Sequence, residues 1–434
     1  MIAAKMSKEQ LLQMAHGAEQ ALDSFKVQGL QLNMTRGKPC REQLELSVGL
    51  QAPPVDYLDE DGEDVRNYGN LVGIPECRRL FGQIMGVDPE LVIVGGSSSL
   101  NLMYDAMSRA FIRGALPGLL PWGRQGRLKW LCPAPGYDRH FKVSESFNFE
   151  NIPVPMHEDG PDMAMVERLV SSDASVKGIW ATPMYSNPEG ITYSDEVVRR
   201  FSRLRPAAAD FRIFWDNAYG VHHLYAEESR RDHLLNLYEE LKRTGREDMA
   251  YLFSSTSKYT SASGGVGAMA MSPPNREWTK KQLSLQTIGY NRINQLRHSR
   301  FIPDLPALER LMMAHADIIR PKFELVLHSL EQELAPLGCC AWSKPRGGYF
   351  ISVYTLSGTA KRIVALCREA NVMLTPAGAT YPGGQDESDS NIRLAPTYPP
   401  LAELDMAMQV FCQAVKLATA ERLLQPAIER AAKR

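Results

Sequence analysis

The chain has 434 residues, with 49 lysines and arginines against 50 aspartates and glutamates, so its formal net charge is -1. A charge this close to zero gives no general attraction to nucleic acid or to acidic membranes, and we expect neither as a partner. Hydrophobic residues make up 44% of the chain and charged residues 23%, a composition typical of water-soluble globular proteins.

Seven cysteines are scattered along the chain without a CxxC pair. An odd number of scattered cysteines favours a reducing compartment and argues against a zinc site or a disulfide framework. The N-terminus lacks the continuous apolar stretch of a signal peptide, and no later stretch approaches the length of a membrane span. We therefore predict a cytoplasmic protein without a metal site.

Helical periodicity over residues 7–25 predicts a first helix. A segment rich in proline, glycine and aspartate then predicts an extended arm over residues 38–68. From about residue 75 to 272, short apolar runs alternate with helical stretches, which predicts βαβ units and a mostly parallel sheet. The strand candidates are residues 91–94, 128–131, 178–181, 212–215, 250–253 and 267–271.

Helical periodicity dominates from about residue 278 to 337, with interruptions at Pro303 and Pro306. A hairpin over residues 341–353, a helix near 359–370, a strand at 391–395 and a helix from 401 onward follow, which predicts a smaller α+β unit. We expect residues 1–55 to form an arm and part of the small domain, residues 56–315 a large cofactor-binding domain, and residues 316–434 the rest of the small domain.

Lys258 follows an apolar strand-like run, where a lysine is costly unless it is paired or used covalently. An aldehyde cofactor would remove this cost by converting the amine to an imine. Another apolar run ends in Asp216, and Tyr219 lies three residues later. Asp216 could keep a pyridine nitrogen protonated at the carboxyl edge of the sheet. These three residue types are what pyridoxal 5'-phosphate (PLP) requires of a protein.

Small residues at 95–99 precede a predicted helix, where main-chain N–H groups and hydroxyls can surround a phosphate. Each such motif also has an ordinary explanation. Asp216 could cap a helix, Asn187 could belong to an Asn-Pro turn, and Tyr137 and Tyr219 could simply pack in the core. Arg393, on a predicted strand, could bind a carboxylate in bidentate fashion, or could lie on the surface paired with Asp389 or in solvent.

Taken together and in this order, the motifs resemble those of PLP-dependent aminotransferases of fold type I, class I/II, and are most similar to an atypical bacterial aspartate aminotransferase group. The resemblance covers nearly the whole chain. It is carried by residues 35–39, 67–69, 95–101, 132–137, 186–190, 216–219, 255–258, 347–350 and 391–396. It implies an α/β fold with a mostly parallel seven-stranded sheet in a large domain, a smaller α+β domain, and a homodimer with shared active sites.

The resemblance also implies a role for each matching residue. Lys258 would bind the cofactor covalently, Asp216 would pair with the ring nitrogen, and Arg393 would bind the substrate α-carboxylate. Tyr219 and Asn187 would hold the ring oxygen, and Asn187 would also lie beside the substrate with Gly37. The other cofactor contacts would be Tyr137 on the ring face and, on the phosphate, Ser97, Ser98, Ser99, Ser255 and, from the partner subunit, Tyr68.

Two positions depart from the family pattern. The family carries an arginine on the phosphate about eight residues after the lysine, whereas this chain has Val266. The arginine that selects acidic side chains has no match either, since that region is residues 286–289, Gln-Thr-Ile-Gly. Arg36, Arg292 and Arg297 are the candidate substitutes, with Arg36 first because it directly precedes residues 37–39, in the arm that closes over the substrate in this superfamily.

The sequence thus predicts an aminotransferase that converts L-aspartate and 2-oxoglutarate to oxaloacetate and L-glutamate. Three alternatives stay open. One is an aminotransferase for an aromatic or 2-aminoadipate-like donor, and another is a PLP-dependent lyase of the same fold. The third is a non-catalytic PLP-sensing module, against which the short, weakly basic N-terminus and the presence of Lys258 and Arg393 both count.

Overall fold

The structure, a computed structural model, describes residues 2–35 and 37–432, with side chains described as far as residue 425. Two sheets and a strand pair are built from thirteen strands. They are β1 (Leu32–Asn33), β2 (Val92–Val94), β3 (Lys129–Ala134), β4 (Glu150–His157), β5 (Gly160–Pro161), β6 (Val176–Ala181), β7 (Arg212–Asp216), β8 (Ala250–Ser255), β9 (Gly267–Met271), β10 (Ala341–Trp342), β11 (Ile351–Tyr354), β12 (Val372–Met373) and β13 (Asn391–Leu394).

Helices connect and cover these strands. They are α1 (Lys8–Lys26), α2 (Arg41–Glu45), α3 (Pro75–Met85), α4 (Ser99–Arg113), α5 (Asp138–Ser146), α6 (Met163–Ser172), α7 (Asp195–Ser202), α8 (Leu237–Thr244), α9 (Pro273–Gln286), α10 (Arg292–Phe301), α11 (Leu305–Glu333), α12 (Ala360–Glu369) and α13 (Leu401–Ala432). Within the described residues, no helix has both the length and the apolar character needed to cross a membrane.

The large sheet has the strand order β2-β9-β8-β7-β6-β3-β4, extended by the two-residue strand β5. Strands β8, β7, β6, β3 and β4 are parallel to their neighbours within this group, and β9 is antiparallel to both β2 and β8. Alternate residues of the same strands enter two separate apolar clusters, so both faces of the sheet are covered. The predicted α/β fold with a mostly parallel, seven-stranded type of sheet is confirmed.

Strand β4 was not predicted from the sequence, because Pro153 and Pro155 interrupt its apolar pattern. Proline has no N–H group, so it cannot donate the main-chain hydrogen bonds that link a central strand to the neighbours on both of its sides. In this sheet β4 pairs along its length with β3, whereas its other edge meets only the short β5. The free edge of β4 therefore tolerates residues that would break a central strand.

The predicted extended arm is partly wrong. Residues 38–68 contain helix α2 and a 3-10 turn at Val48–Gln51, because Gln43 reaches back to the main chain of Cys40 and caps the first turn. The remaining helix predictions agree with the structure to within a few residues. Ser7 caps α1, and Pro306 lies in the first turn of α11, where proline is tolerated.

Both chain ends contribute to a second core. Buried residues from Ala3 to Met34 pack with residues between Ile319 and Ala418, and β1 pairs in parallel with β12. A three-stranded antiparallel sheet, β10-β11-β13, carries Arg393 on its last strand. This second core holds β13 beside the carboxyl edge of the large sheet.

The middle of the large sheet leaves no room at Gly178 in β6. A methyl group there would lie 2.6 Å from the carbonyl oxygen of Arg212 and would also overlap the ring of Trp130. We expect Gly178→Ala to lower the free energy of unfolding by about 3 kcal/mol, because main chain cannot move aside in a paired strand. Gly126→Ala is the control, since no described heavy atom lies within 4 Å of its added methyl group. Equal denaturant midpoints for the two variants would contradict this packing.

Candidate active site

Asp216 and Lys258 meet at the carboxyl edge of the sheet because their strands are parallel neighbours. Asp216 is the last residue of β7 and lies opposite Phe253 of β8. Strand β8 ends at Ser255, and the chain then turns, which places Lys258 three residues beyond the strand end. Ligands of open α/β sheets bind outside this edge.

A cavity of about 820 Å³ opens beside these strand ends, between the large sheet and the second core. It is large enough for a cofactor together with a small substrate. Six predicted site residues line it, namely Gly37, Tyr137, Asn187, Tyr219, Lys258 and Arg393.

Lys258 lies at the floor of this cavity, where its Nζ donates a hydrogen bond to the carbonyl oxygen of Gly37. The pKa of the amine is lowered from 10.5 to about 8, chiefly by burial and also by the positive charge of Arg393, while the negative charge of Asp216 opposes both effects. An amine with a pKa near 8 is mostly protonated at neutral pH, but a minor fraction is unprotonated, far more than for an ordinary lysine. Lys258 can therefore act as a nucleophile or as a base.

Asp216 is buried, and only one of its two carboxylate oxygens has a hydrogen-bond partner among the described residues. Its Oδ2 lies 3.0 Å from Nε2 of His140, whose ring stacks on Trp180 at 4.7 Å. Its Oδ1 has no hydrogen-bond partner among the described residues. A buried carboxylate oxygen without a donor is costly, so this atom fits a ligand that presents an N–H group, such as a protonated pyridine ring.

Arg393 is buried rather than on the surface, so the alternative of a surface arginine paired with Asp389 is wrong. Its guanidinium donates hydrogen bonds of 3.1 Å to Asn187 Oδ1 and 3.2 Å to Thr375 Oγ1, and it forms an ion pair of 3.4 Å with Asp138. Asp389 instead accepts from the main chain at the start of α12. Arg393 also lies over the ring of Phe350, 4.9 Å from its centroid.

The predicted phosphate residues lie apart from the large cavity. Ser98 caps α4, and its hydroxyl, like that of Ser97, contacts the Asn101 side chain at 3.1–3.3 Å. Ser98 lines a neighbouring cavity of about 340 Å³, whereas Ser97, Ser99 and Ser255 line neither cavity. The loops are nevertheless close, since Ser257 donates a hydrogen bond of 3.0 Å to the carbonyl oxygen of Ser97.

Val266 occupies the position where the family pattern has a cation. It is buried in the apolar core on one face of the sheet, and its main-chain N–H donates 2.9 Å to Thr256 Oγ1. This position cannot supply a charge to the cavity. Arg139 and Lys142, on α5, line both the large cavity and the cavity beside Ser98.

Two of the three arginines predicted to select acidic side chains lie away from the cavity of their own chain. Arg36 lies outside the described residues. Arg292 is buried behind the loop that carries Tyr68, where it donates to the carbonyl oxygens of Asp64 and Asn67 at 3.1 and 2.8 Å. Neither Arg292 nor Arg297 lines the cavity. Tyr68 itself is 80% exposed and does not reach the cavity of its own chain.

A family model described as aspartate amino-transferase matches residues 6–427. The chain belongs to this aspartate aminotransferase family. It is 44% identical over 401 residues to an aspartate aminotransferase of Corynebacterium glutamicum, covering 92% of each protein. The predicted aminotransferase of fold type I is thereby confirmed, and the alternative of a non-catalytic module is wrong. As an aminotransferase, the protein takes amino acids and 2-oxo acids as substrates.

Solved structures of aminotransferases share this architecture. The crystal structure of an aspartate transaminase from Corynebacterium glutamicum has a TM-score of 0.94 and 41% identity, and the match covers 98% of this chain and 99% of that one. The α-aminoadipate aminotransferase LysN from Thermus thermophilus has a TM-score of 0.71 at 19% identity, with 91% and 93% of the chains covered. This second likeness shows the fold alone.

Sequence reasoning missed several polar residues of this aminotransferase's site, among them Lys38, Arg139 and Lys142 in the cavity wall and His140 behind it. Three of them follow Tyr137 on α5, and a helix that begins at Asp138 puts residues 139 and 142 on one side. That spacing was the available signal. The His140–Asp216 contact joins residues 76 positions apart and left no pattern in the sequence.

The charges around Lys258 predict opposite shifts of its pKa in two variants. Arg393→Gln removes a positive charge and should raise the pKa of Lys258 above about 8, whereas Asp216→Asn removes a negative charge and should lower it. The pH dependence of Lys258 acylation in full-length, cofactor-free protein, followed by peptide mass spectrometry, measures both. Shifts of the same sign in the two variants would contradict this arrangement of charges.

Proposed function

We propose that this aminotransferase uses pyridoxal phosphate to transfer the amino group of L-aspartate to 2-oxoglutarate, giving oxaloacetate and L-glutamate. The observation that carries the proposal is that Lys258, an amine with a lowered pKa in the cavity wall, and Asp216, whose buried Oδ1 has no partner among the described residues, follow neighbouring parallel strands at the same edge of the sheet. The name of the relative from Corynebacterium glutamicum supports aspartate as the donor.

The residues present fit pyridoxal phosphate. When bound, this cofactor withdraws electrons from the substrate Cα, so that its proton can leave. Asp216 would hold a proton at the ring nitrogen through Oδ1, and His140 would fix the carboxylate through Oδ2. Tyr219 and Asn187 would hold the ring oxygen. Lys258 would bind the cofactor and then, as a free amine, take the Cα proton at Nζ.

Arg393 would bind the α-carboxylate that every amino acid and 2-oxo acid substrate carries. Its planar guanidinium can make two parallel hydrogen bonds to a carboxylate, and the side chain is already oriented by Asn187 and Thr375. The main chain of Gly37 lies within reach of the same region, because its carbonyl oxygen contacts Lys258. These contacts are common to all donors and do not select among them.

We also propose that Ser97, Ser98, Ser99 and Ser255 bind the cofactor phosphate near the N-terminus of α4, where the helix dipole favours an anion. Tyr68 would reach that phosphate from the partner subunit of a homodimer. The exposure of Tyr68, Leu285 and Ile288, at 80, 74 and 66%, supports a surface that a second subunit covers.

The separate core built from both chain ends supports the division into residues 1–55, 56–315 and 316–434. We propose a cytoplasmic location as well. It is supported by the cysteines, all seven of which are free in the described structure.

Aspartate needs a second cation for its side-chain carboxylate, because a buried, unpaired carboxylate costs several kcal/mol. Arg139 suits this role. It lines the cavity one residue from Asp138, which touches Arg393, and it forms no ion pair within the described residues. Lys142, three residues further along α5, lies in the same cavity wall and provides a matched comparison.

Arg139→Ala should lower kcat/KM for aspartate roughly a hundredfold and leave alanine and phenylalanine almost unchanged, as expected for the loss of one charge-assisted pair. Lys142→Ala should have a much smaller effect on aspartate. Steady-state kinetics with the three donors measures both variants. An equal loss for all donors in Arg139→Ala would exclude Arg139 as the selector of acidic side chains.

The proposed reaction is tested by a panel of amino donors with 2-oxoglutarate as acceptor. Aspartate should give the highest kcat/KM, with oxaloacetate and glutamate formed in equal amounts. Asp216→Asn should lower kcat by several orders of magnitude with the fold intact, since a neutral amide cannot hold the ring proton. Preference for an aromatic or 2-aminoadipate donor, or release of ammonia instead of glutamate, would overturn the assignment of substrate or reaction.

A further inference from the structure

The turn that carries Lys258 has main-chain carbonyls without main-chain partners. The N–H groups of Tyr259 and Thr260 both donate to the carbonyl oxygen of Thr256, at 3.0 and 2.9 Å. The carbonyl oxygens of Lys258, Tyr259 and Thr260 receive no main-chain hydrogen bond from the described residues. Buried carbonyls of this kind need donors from elsewhere.

Each of these three carbonyls accepts a hydrogen bond from a buried side chain. Tyr349 donates to Lys258 at 2.9 Å, His315 to Tyr259 at 3.1 Å, and Ser47 to Thr260 at 2.8 Å. The donors come from three distant places, namely the loop before β11, the middle of α11 and the segment after α2. Three parts of the chain therefore converge on one turn.

Gln43 joins two of these donors and sets the direction of their hydrogen bonds. Cys40 N–H donates to Gln43 Oε1 at 3.1 Å, which orients the amide. The two hydrogens on Nε2 then go to the Tyr349 hydroxyl and to Nδ1 of His315, each at 3.0 Å. His315 accepts at Nδ1, so its proton is on Nε2 and points to the Tyr259 carbonyl oxygen. Every donor of the amide is used.

The same N-terminal segment also touches the other end of Lys258, because Gly37 accepts a hydrogen bond from its Nζ. Within residues 37–47, Gly37 thus contacts the Lys258 amine directly. Ser47 contacts the main chain of the turn, and Gln43 reaches it through Tyr349. None of Gln43, Ser47, His315 and Tyr349 lines the cavity, so none of them can touch a substrate or cofactor there.

We infer that Gln43, Tyr349, His315 and Ser47 form a clamp, here called the Lys258 clamp, that fixes the main chain of Lys258 and so holds its amine in the cavity. The inference rests on the proposed function, in which Lys258 binds the cofactor and moves the Cα proton. A lysine that must return to one place after each transfer needs its main chain held, since its side chain has four rotatable bonds. The four residues are positioning residues.

Tyr349→Phe tests the clamp, with Tyr251→Phe as the matched control. Both variants lose a buried tyrosine hydroxyl, but that of Tyr251 donates 3.1 Å to Asn275, away from Lys258. The readout is the pH midpoint of Lys258 acylation in full-length protein freed of cofactor. Tyr349→Phe should raise the midpoint by about one pH unit, because a loosened turn lets the amine reach water. Tyr251→Phe should leave it unchanged, although its stability falls.

Gln43→Met should shift the midpoint in the same direction, since methionine has a similar length and no N–H. The Tyr349→Phe, Gln43→Met double variant should show a shift smaller than the sum of the two single ones, because both act in part through the Tyr349 hydroxyl. The charges of Asp216 and Arg393 are the same in all these proteins. A difference in midpoint therefore reports the position of Lys258.

Unchanged midpoints in both Tyr349→Phe and Gln43→Met, with a loss of stability like that of Tyr251→Phe, would overturn the inference and leave these residues a purely structural role. If Tyr349→Phe does not fold, Ser47→Ala replaces it and carries the same expectation. The proposed function fails separately, if wild-type protein does not take up pyridoxal phosphate. The midpoints in cofactor-free protein still decide whether the clamp exists.

Discussion

The parallel pairing of β7 with β8 is the constraint on which the site depends. It brings a carboxylate and an amine to the same edge of the sheet, although Asp216 and Lys258 are far apart in sequence. Each group alone would be costly there, since burial disfavours both charges. The energetic cost persists in the structure as a lowered pKa at Lys258 and an unpartnered oxygen at Asp216. Under the proposed function, a cofactor with an aldehyde and a pyridine nitrogen would satisfy both groups at once.

The second core and the N-terminal segment provide cavity residues that the large sheet does not. Arg393 enters the cavity from β13, and the N-terminal segment places Gly37 against the lysine. The positions of Arg393 and Gly37 depend on the packing of both chain ends, because residues from the two ends form one apolar core. The cavity between the sheet and this core is therefore a product of the whole chain.

Much of this arrangement follows from the sequence. Apolar runs that end at Asp216 and shortly before Lys258 predict strand ends, and alternation with helices predicts that those ends share an edge. Strand β4 was missed because its prolines interrupt the apolar pattern. The short helix α2 was missed because its cap by Gln43 was not recognised in the sequence. Contacts such as Gln43 with His315, 272 residues apart, leave no local pattern. Arg139 and Lys142 lie on one side of α5, and this could be recognised only once the residue at which α5 begins was known.

Covalent capture of the cofactor is the most direct test of the central claim that Lys258 and Asp216 form a pyridoxal phosphate site. Borohydride reduction of protein incubated with pyridoxal phosphate should fix the cofactor on the peptide that contains Lys258, at one equivalent per chain. Asp216→Asn should weaken this uptake, and Lys177→Arg, at a buried lysine paired with Asp210, should not affect the labelled site. Fixation on another lysine, or no fixation at all, would contradict the account.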